Sequence, residues 1–248
     1  MVNALVIIPT YNESENITAL LSRLNGVRIE LSSSYKIDIL IVDDNSPDKT
    51  IDTARSINIE NISILSRSMK GGIGPAYLAG FELGLKNDYQ YFVQMDADLS
   101  HMPEQLEKLL VVASSISLVI GTRWMPGGSV VNWPFRRRFI SKLGTKYASF
   151  VLNLRYKDLT SGYRVVPRQL LEMLNLNGIE TKGYGFQIEI ALKAHDAGFE
   201  IKQVPITFIE RENGRSKMGA KIVWEAWFKV SIWGFKRIMV ADNLHYVK

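Results

Sequence analysis

Cysteine is absent from the 248 residues, which excludes disulfides, thiolate metal sites and cysteine nucleophiles. Histidine is scarce: His101, His195 and His245 are the three present, they lack the spacing of joint metal ligands, and each reads as a structural residue. No serine–histidine–acid arrangement can be argued. Apolar runs long enough to cross a membrane without a charge are missing, and Met1-Val2-Asn3-Ala4-Leu5 lacks the basic start of a secretory signal. The expectation is a protein made and kept in the cytoplasm. Internal repeats, low-complexity linkers and DNA- or RNA-binding motifs are also missing, which argues against a nucleic-acid binder.

What is present is ordinary globular composition, 46% hydrophobic and 22% charged, enough to bury one full core. A net charge of +5 suits an anionic partner such as a nucleotide or an acidic lipid. Short apolar runs at residues 5–8, 37–42, 62–65, 91–95 and 118–121 alternate with helical spacing at 14–24, 49–57, 72–85 and 103–115. That is the pattern of an α/β fold with a mostly parallel sheet. The second half reads as helices at 135–152, 168–174 and 186–197, then a strand at 199–209 whose Pro205 implies a sheet edge. One domain over 1–218 with an extension at 219–248, in the same compact unit, is the simplest organisation.

Three of the strands end in polar or acidic clusters. The first runs into Pro9-Thr10-Tyr11-Asn12-Glu13, the second into Asp43-Asp44-Asn45-Ser46-Pro47-Asp48, the fourth into Asp96-Ala97-Asp98-Leu99-Ser100-His101. Parallel strands bring such loops to one edge, where open α/β sheets bind their ligands. Tyr11 can pack against a base and Glu13 can accept hydrogen bonds from base or ribose, while Asn12 or Ser14 suits a helix cap. Asp43-Asp44 fits either acceptance from a base N–H or plain turn chemistry. Asp96 and Asp98 repel each other unless a cation, an ammonium or a proton lies between them. Mg²⁺ or Mn²⁺ suits an all-oxygen site open to phosphate, and a solvated turn capping the helix at Pro103 is the other reading. Lys70-Gly71-Gly72-Ile73-Gly74-Pro75 matches neither a dinucleotide fingerprint nor a phosphate-cradling loop, and reads as close backbone packing beside a nucleotide.

Basic residues concentrate later. Arg123, Arg136, Arg137, Arg138, Lys142 and Lys146 fall in a stretch without an acidic residue, and Arg211 and Lys217 flank Gly214. Arg123, Arg211 and Lys217 have the chemistry of phosphate partners. Residues 219–240 carry Trp224, Trp227, Phe228, Trp233 and Phe235 opposite Lys221, Glu225, Lys229 and Lys236. A helix lying in a membrane interface has this composition, as does a helix packed onto the sheet; the width of the apolar arc favours the membrane.

The strand-end clusters, with Gly121-Thr122-Arg123, resemble family-2 glycosyltransferases of the GT-A fold. The later motifs Gly127-Gly128-Ser129, Asn132-Trp133-Pro134, Asp158-Leu159-Thr160-Ser161-Gly162-Tyr163-Arg164, Gly183-Tyr184-Gly185-Phe186-Gln187-Ile188-Glu189 and Arg211 with Ser216-Lys217 are similar to dolichol- and polyprenol-phosphate mannosyltransferases. The resemblance implies transfer of mannose from GDP-mannose to a polyprenyl phosphate with inversion. It also implies site residues. Pro9, Tyr11, Glu13, Ile41 and Asp43 would hold guanosine with Asp44 nearby. Asp96 and Ala97 would touch ribose or sugar. Asp98, beside Asp96, would hold the divalent metal, Arg211 and Lys217 the donor phosphates, and Arg123, Arg137 and Ser141 the acceptor phosphate. Asp98 and Arg123 are the expected catalytic groups, and neither is a base.

This sequence departs from some relatives in having Ser100 where they have glutamine, and in lacking transmembrane helices after the catalytic part. The amphipathic C-terminus, or a membrane-anchoring protein partner, would then bring the enzyme to the cytoplasmic face of the membrane as a peripheral protein. Two rivals remain: the same fold making polyprenyl-phosphate glucose from UDP-glucose, and a non-catalytic nucleotide- or lipid-binding module.

Overall fold

The computed structural model describes residues 1–179, 181, 183–211 and 220–245. The first half runs β1 (Val2–Thr10), α1 (Ser14–Glu30), β2 (Tyr35–Asp43), α2 (Thr50–Ser56), β3 (Ile62–Ser66), α3 (Ile73–Gly84), β4 (Tyr91–Gln94), α4 (Leu106–Leu110) and β5 (Ser117–Thr122). The second runs β6 (Ser129–Val131), α5 (Phe135–Val151), β7 (Arg164–Pro167), α6 (Arg168–Met173), α7 (Tyr184–Asp196), β8 (Glu200–Pro205), β9 (Thr207–Ile209) and α8 (Ala220–His245).

A seven-stranded sheet has the order β3-β2-β1-β4-β7-β5-β8, and every strand in it except β7 points the same way. Alternation along β1 feeds two cores. Leu5 and Ile7 face a layer built with Tyr77 and Phe81 of α3 and Ile188 and Ala191 of α7. Ala4, Val6 and Ile8 face Ile17, Leu20, Leu21 and Leu24 of α1. Each fully buried aliphatic side chain contributes about 1.5–3 kcal/mol, so the two layers fix the sheet and the directions of its strand tips. Thr10 lies beside Asp43 in the β1–β2 register, and Ile7 beside Gln94 in the β1–β4 register. The loops after β1, β2 and β4 therefore leave from one edge.

Two expected elements differ. The helix expected over 103–115 is a 3₁₀ turn at Pro103–Gln105 followed by the short α4. Beyond Leu110 the hydroxyls of Ser114 and Ser117 bond each other at 2.9 Å, and the Ser117 hydroxyl also accepts from the Ser114 N–H at 3.0 Å, closing a turn in competition with helix bonds. The strand expected over 199–209 is split after Pro205. β8 does lie at the sheet edge, whereas β9 leaves to pair with β6 in a separate two-stranded sheet. The Gln105 amide holds β9 in its new place, accepting from Thr207 N–H at 2.7 Å and donating to Thr207 C=O at 2.8 Å.

The antiparallel β7 begins at Arg164, a charged residue with no exposed surface. Its guanidinium donates to the carbonyls of Ser161 (2.8 Å), Gln187 (2.7 Å) and Leu159 (2.8 Å). Burial pulls its pKa down to about 9, so it is charged at neutral pH. α8 packs on α5 and α7. At Gly234 a Cβ would fall 2.3 Å from Val151 Cγ1 and 2.8 Å from its carbonyl, so only glycine permits that helix approach. No helix among the described residues is long and apolar enough to cross a membrane.

Arg164→Met is expected to lower the unfolding free energy by about 3 kcal/mol or more, because three buried carbonyls lose their donor. Arg164→Lys should recover only part of this, since an ammonium cannot reproduce the fork. Urea unfolding of the three proteins measures both.

Candidate active site

The loops after β1 and β2 are stapled to each other. Asn12 N–H donates to Ser46 Oγ (3.0 Å), Glu13 N–H to Thr50 Oγ1 (3.0 Å) and Ser14 N–H to Asp48 (3.0 Å). Asn12 and Asn45 sit at φ 56° and 61°, a left-handed conformation that asparagine tolerates. Asp43 is fully buried and accepts from Thr10 Oγ1 at 2.8 Å and from the Ser46 N–H at 2.9 Å. Asp44 accepts from the backbone N–H groups of Gly71 (2.8 Å) and Gly72 (3.0 Å) and pairs with Arg67. The glycine-rich stretch thus comes within backbone reach of the acidic loop. Gly74 is equally tight, because a Cβ there would meet the Thr181 carbonyl at 2.7 Å. Lys70 places its ammonium 3.8 Å from the centre of the Tyr11 ring.

At the tip of β4, Leu99 adopts φ 62°, a strained conformation for a bulky side chain. The turn lets Ser100 N–H donate to Asp98 Oδ1 at 3.1 Å. The other oxygen, Asp98 Oδ2, lies 2.8 Å from Arg211 Nη2. Asp96 Oδ1 is buried with no hydrogen-bond partner. The Asp96 carboxyl is pushed above the usual range, chiefly by burial; His101 opposes that shift and Asp98 adds to it. His101 Nδ1 accepts from Asp96 N–H at 3.0 Å, which puts the imidazole proton on Nε2. Burial also holds its pKa down, and the ring stacks on Tyr163 at 5.0 Å.

Arg123, at the end of β5, is gripped by Asp158, with Nε and Nη2 at 2.7 and 2.8 Å from its two oxygens and Nη2 also 2.9 Å from Thr160 Oγ1. Trp124, Trp133 and Phe208 surround that guanidinium at 5.6, 5.3 and 5.4 Å from its carbon. Arg137, on α5, lies 4.2 Å over Trp133 and pairs with Glu210. Both arginines are held by a carboxylate and an aromatic face, so their donor forks are fixed in place.

One cavity of about 420 Å³ joins these parts. Its wall includes Pro9, Tyr11, Glu13, Asp44, Asp96, Ala97, Asp98, Arg123, Arg137, Ser141 and Arg211. Ile41 and Asp43 are fully buried and are not in the wall; Lys217 lies outside the described residues. The wall also holds Lys70, His101, Trp133, Thr160, Gly162 and Gln187, none of them named as a site residue from the sequence, where His101 reads as structural and the Lys70 stretch as backbone packing. The motifs quoted around 158–164 and 183–189 were the signals available for Thr160, Gly162 and Gln187. Beyond the arginines the cavity continues between α5 and α8, along Ile140, Gly144, Tyr147, Ala148, Ala226, Trp227 and Val230. Tyr147 and Trp227 stack there at 4.3 Å, and the Tyr147 hydroxyl bonds Ser231 Oγ at 2.6 Å.

The residues at the tip of β4 fit a hard divalent cation. Both donors are carboxylates, one oxygen is buried without a partner, and another already meets a cationic group. No three acidic or histidine side chains converge on one point among the described residues. A metal here would therefore take its other ligands from substrate phosphates and water, as Mg²⁺ does in many phosphate-binding sites.

Comparison with known proteins gives a consistent picture. The sequence model of glycosyl transferase family 2 matches residues 5–174. The chain is 44% identical over 236 residues to polyprenol monophosphomannose synthase of Mycolicibacterium smegmatis, covering 94% of this chain and 87% of that one. It is 46% identical over 232 residues to undecaprenyl-phosphate mannosyltransferase of Micrococcus luteus, covering 93% of each. Among solved structures, glucosyl-3-phosphoglycerate synthase from Mycobacterium tuberculosis, in complex with Mn²⁺ and UDP-glucose, superposes with a TM-score of 0.66 at 17% identity. That match covers 95% of this chain and 78% of the other, and at such identity it speaks for the fold alone.

Asp158→Ala strands a buried guanidinium and is expected to cost roughly 3–5 kcal/mol of stability. Glu104→Ala, which breaks the exposed pair of Glu104 with Arg23, should cost at most about 1 kcal/mol. Denaturant titration of the two variants checks the contrast.

Proposed function

The chain belongs to glycosyl transferase family 2, and we propose that it transfers mannose from GDP-mannose to a polyprenyl phosphate with inversion, giving polyprenyl-phosphate β-mannose and GDP. The observation that carries this reading is the single cavity, polar and acidic at the strand tips and apolar between α5 and α8. Its two ends match the two substrates. The mannosyl and polyprenyl identities are supported by the names of the two relatives above.

The acceptor phosphate monoester, with a second pKa of about 6, is largely dianionic at neutral pH and needs no general base. Its oxygen forms a bond to C1 of the mannose while the bond from C1 to the diphosphate breaks on the opposite face, and the electron pair leaves with GDP. His101, with its Nδ1 engaged by the Asp96 amide, is accordingly a positioning residue in this reading. Arg123, Arg137 and Ser141 receive the acceptor phosphate. Arg211, with Lys217, holds the donor phosphates, and Pro9, Tyr11 and Glu13 face the nucleoside. Ile41 and Asp43 support that wall from behind: Asp43 fixes Thr10 and Ser46. Asp98 and Asp96 would hold Mg²⁺ or Mn²⁺, which when bound supplies charge stabilisation to the departing diphosphate.

The apolar end also suits a bilayer surface. α5 exposes Phe135, Phe139, Ile140, Leu143 and Phe150, and α8 exposes Trp224, Phe228, Phe235 and Met239. Arg136, Arg138, Lys142 and Lys146 of α5 are exposed among them, and each basic residue near an anionic surface contributes about 1 kcal/mol. In this reading residues 219–248 are a membrane-facing extension of the same compact unit. The helix cannot be detached from it, because Ala226 and Val230 are buried. In this reading the protein sits peripherally on the cytoplasmic face of the membrane, with or without an anchoring protein.

Incubation with a divalent metal, a polyprenyl phosphate and either GDP-mannose or UDP-glucose tests the reaction. Mannolipid from GDP-mannose is expected; exclusive glucolipid formation would replace mannose by glucose, and binding without any turnover would leave a non-catalytic module. Asp98→Ala should lower turnover by at least about 10²-fold. For the membrane surface, Phe135→Ser, Phe139→Ser, Trp224→Ser and Phe228→Ser combined should sharply reduce recovery with anionic liposomes in flotation while leaving the circular dichroism spectrum unchanged. Undiminished recovery would return both helices to ordinary solvent-exposed faces.

A further inference from the structure

We propose that Gln187 reads a hydroxyl group of the transferred hexose and, with Gly162 facing it, sets which sugar the donor site accepts; this rests on the hexosyl-transfer reading above. Gln187 is 4% exposed and lies in the cavity wall, yet neither its amide nitrogen nor its amide oxygen has a hydrogen-bond partner. Burying both ends of an amide unpaired is unfavourable, and a native protein retains such a group where a ligand or water completes it. Gln94 and Tyr77 also carry unpartnered polar atoms, but they are fully buried and off the cavity wall. Among the described wall residues, Gln187 is the neutral side chain that offers both an unpartnered donor and an unpartnered acceptor.

What lies opposite defines a gap the size of one hydroxyl group. Gly162 is in the wall, and a Cβ built on it would stand 3.3 Å from His101 Cε1, 3.6 Å from Asp96 Oδ1 and 3.7 Å from Gln187 Nε2. The glycine therefore leaves open a space bounded by an unpartnered carboxylate oxygen on one side and an amide on the other. A hydroxyl can donate to one lone pair of the first, leaving the carboxylate's remaining lone pairs for the cation, and can accept from the second. The gap is also held at a fixed width. The Arg164 guanidinium donates to the carbonyl of Ser161, next to Gly162, and to the carbonyl of Gln187 itself. One buried side chain thus sets the distance between the two walls, as a preorganised recognition site requires.

A site built to bond a hydroxyl rejects the analogue that lacks it, because its own polar groups are left unpaired. The experiment measures kcat/KM of the wild type with GDP-mannose and with its 2-, 3-, 4- and 6-deoxy analogues, repeats the series with Gln187→Leu, and determines the Kd of GDP for both proteins by calorimetry. The expected result is that one deoxy donor is penalised roughly 10- to 100-fold by the wild type, that this penalty falls to about threefold or less in Gln187→Leu, and that GDP affinity is unchanged. The inference is overturned if the variant keeps every deoxy penalty, or if it weakens GDP as much as GDP-mannose, which marks a structural role. Should Gln187→Leu fail to fold, Gly162→Ala fills the same gap: a raised KM for GDP-mannose at constant GDP affinity supports the inference, and an unchanged KM overturns it. A wild type that turns over no sugar nucleotide withdraws the hexosyl-transfer reading itself, and this inference with it.

Discussion

Two carboxylates at the tip of one strand need a positive partner, and much of the structure is arranged around that need. Parallel pairing of β1 with β2 and β4 delivers Glu13, Asp44, Asp96 and Asp98 to one cavity, where their mutual repulsion would oppose folding if nothing offset it. Arg67 and the Gly71 and Gly72 amides meet Asp44, and Arg211 meets Asp98. Asp96 keeps one oxygen buried and unpartnered. The charge there is incompletely satisfied by the protein, which is the condition in which a cation with its phosphate ligands gains most by binding.

The opposite end of the cavity uses the same physics with the signs exchanged. Arg123 and Arg137 would repel each other, and each is held by its own carboxylate, Asp158 or Glu210, against Trp133. Fixing a guanidinium beforehand removes the entropy of ordering it when an anion arrives. Arg164 extends the principle into the core, tying together three carbonyls from two separate segments. α5 and α8 then add an apolar corridor to a site otherwise built for charge.

Most of the fold was legible because its signals are local and repeated. The apolar runs of β1, β2, β3 and β5 and the helical spacing of α1, α3 and α7 follow from burial on one or both faces, and three polar clusters at strand ends marked the functional edge. β7 was not legible: four residues opening on an arginine carry no long apolar-run signal, and only antiparallel pairing with β4 and β5 makes it a strand. The helix over 103–115 looked continuous, yet Ser114 and Ser117 close a turn instead. Within the site, residue type suggested a role for Asp43 but not its complete burial. Gln187 was hidden for another reason. An amide on an amphipathic helix is ordinary in sequence, and only three-dimensional context shows that its polar atoms have no partner.

The carboxylates of β4 would hold a cation alongside a diphosphate, and that can be observed without turnover. Titrating Mn²⁺ into the protein with GDP present, followed by electron paramagnetic resonance, reports bound manganese directly. Stoichiometric binding by the wild type and its loss in Asp98→Asn, with the variant still folded, is the predicted result. Manganese bound equally well by Asp98→Asn would contradict the assignment of this strand tip as the cation site.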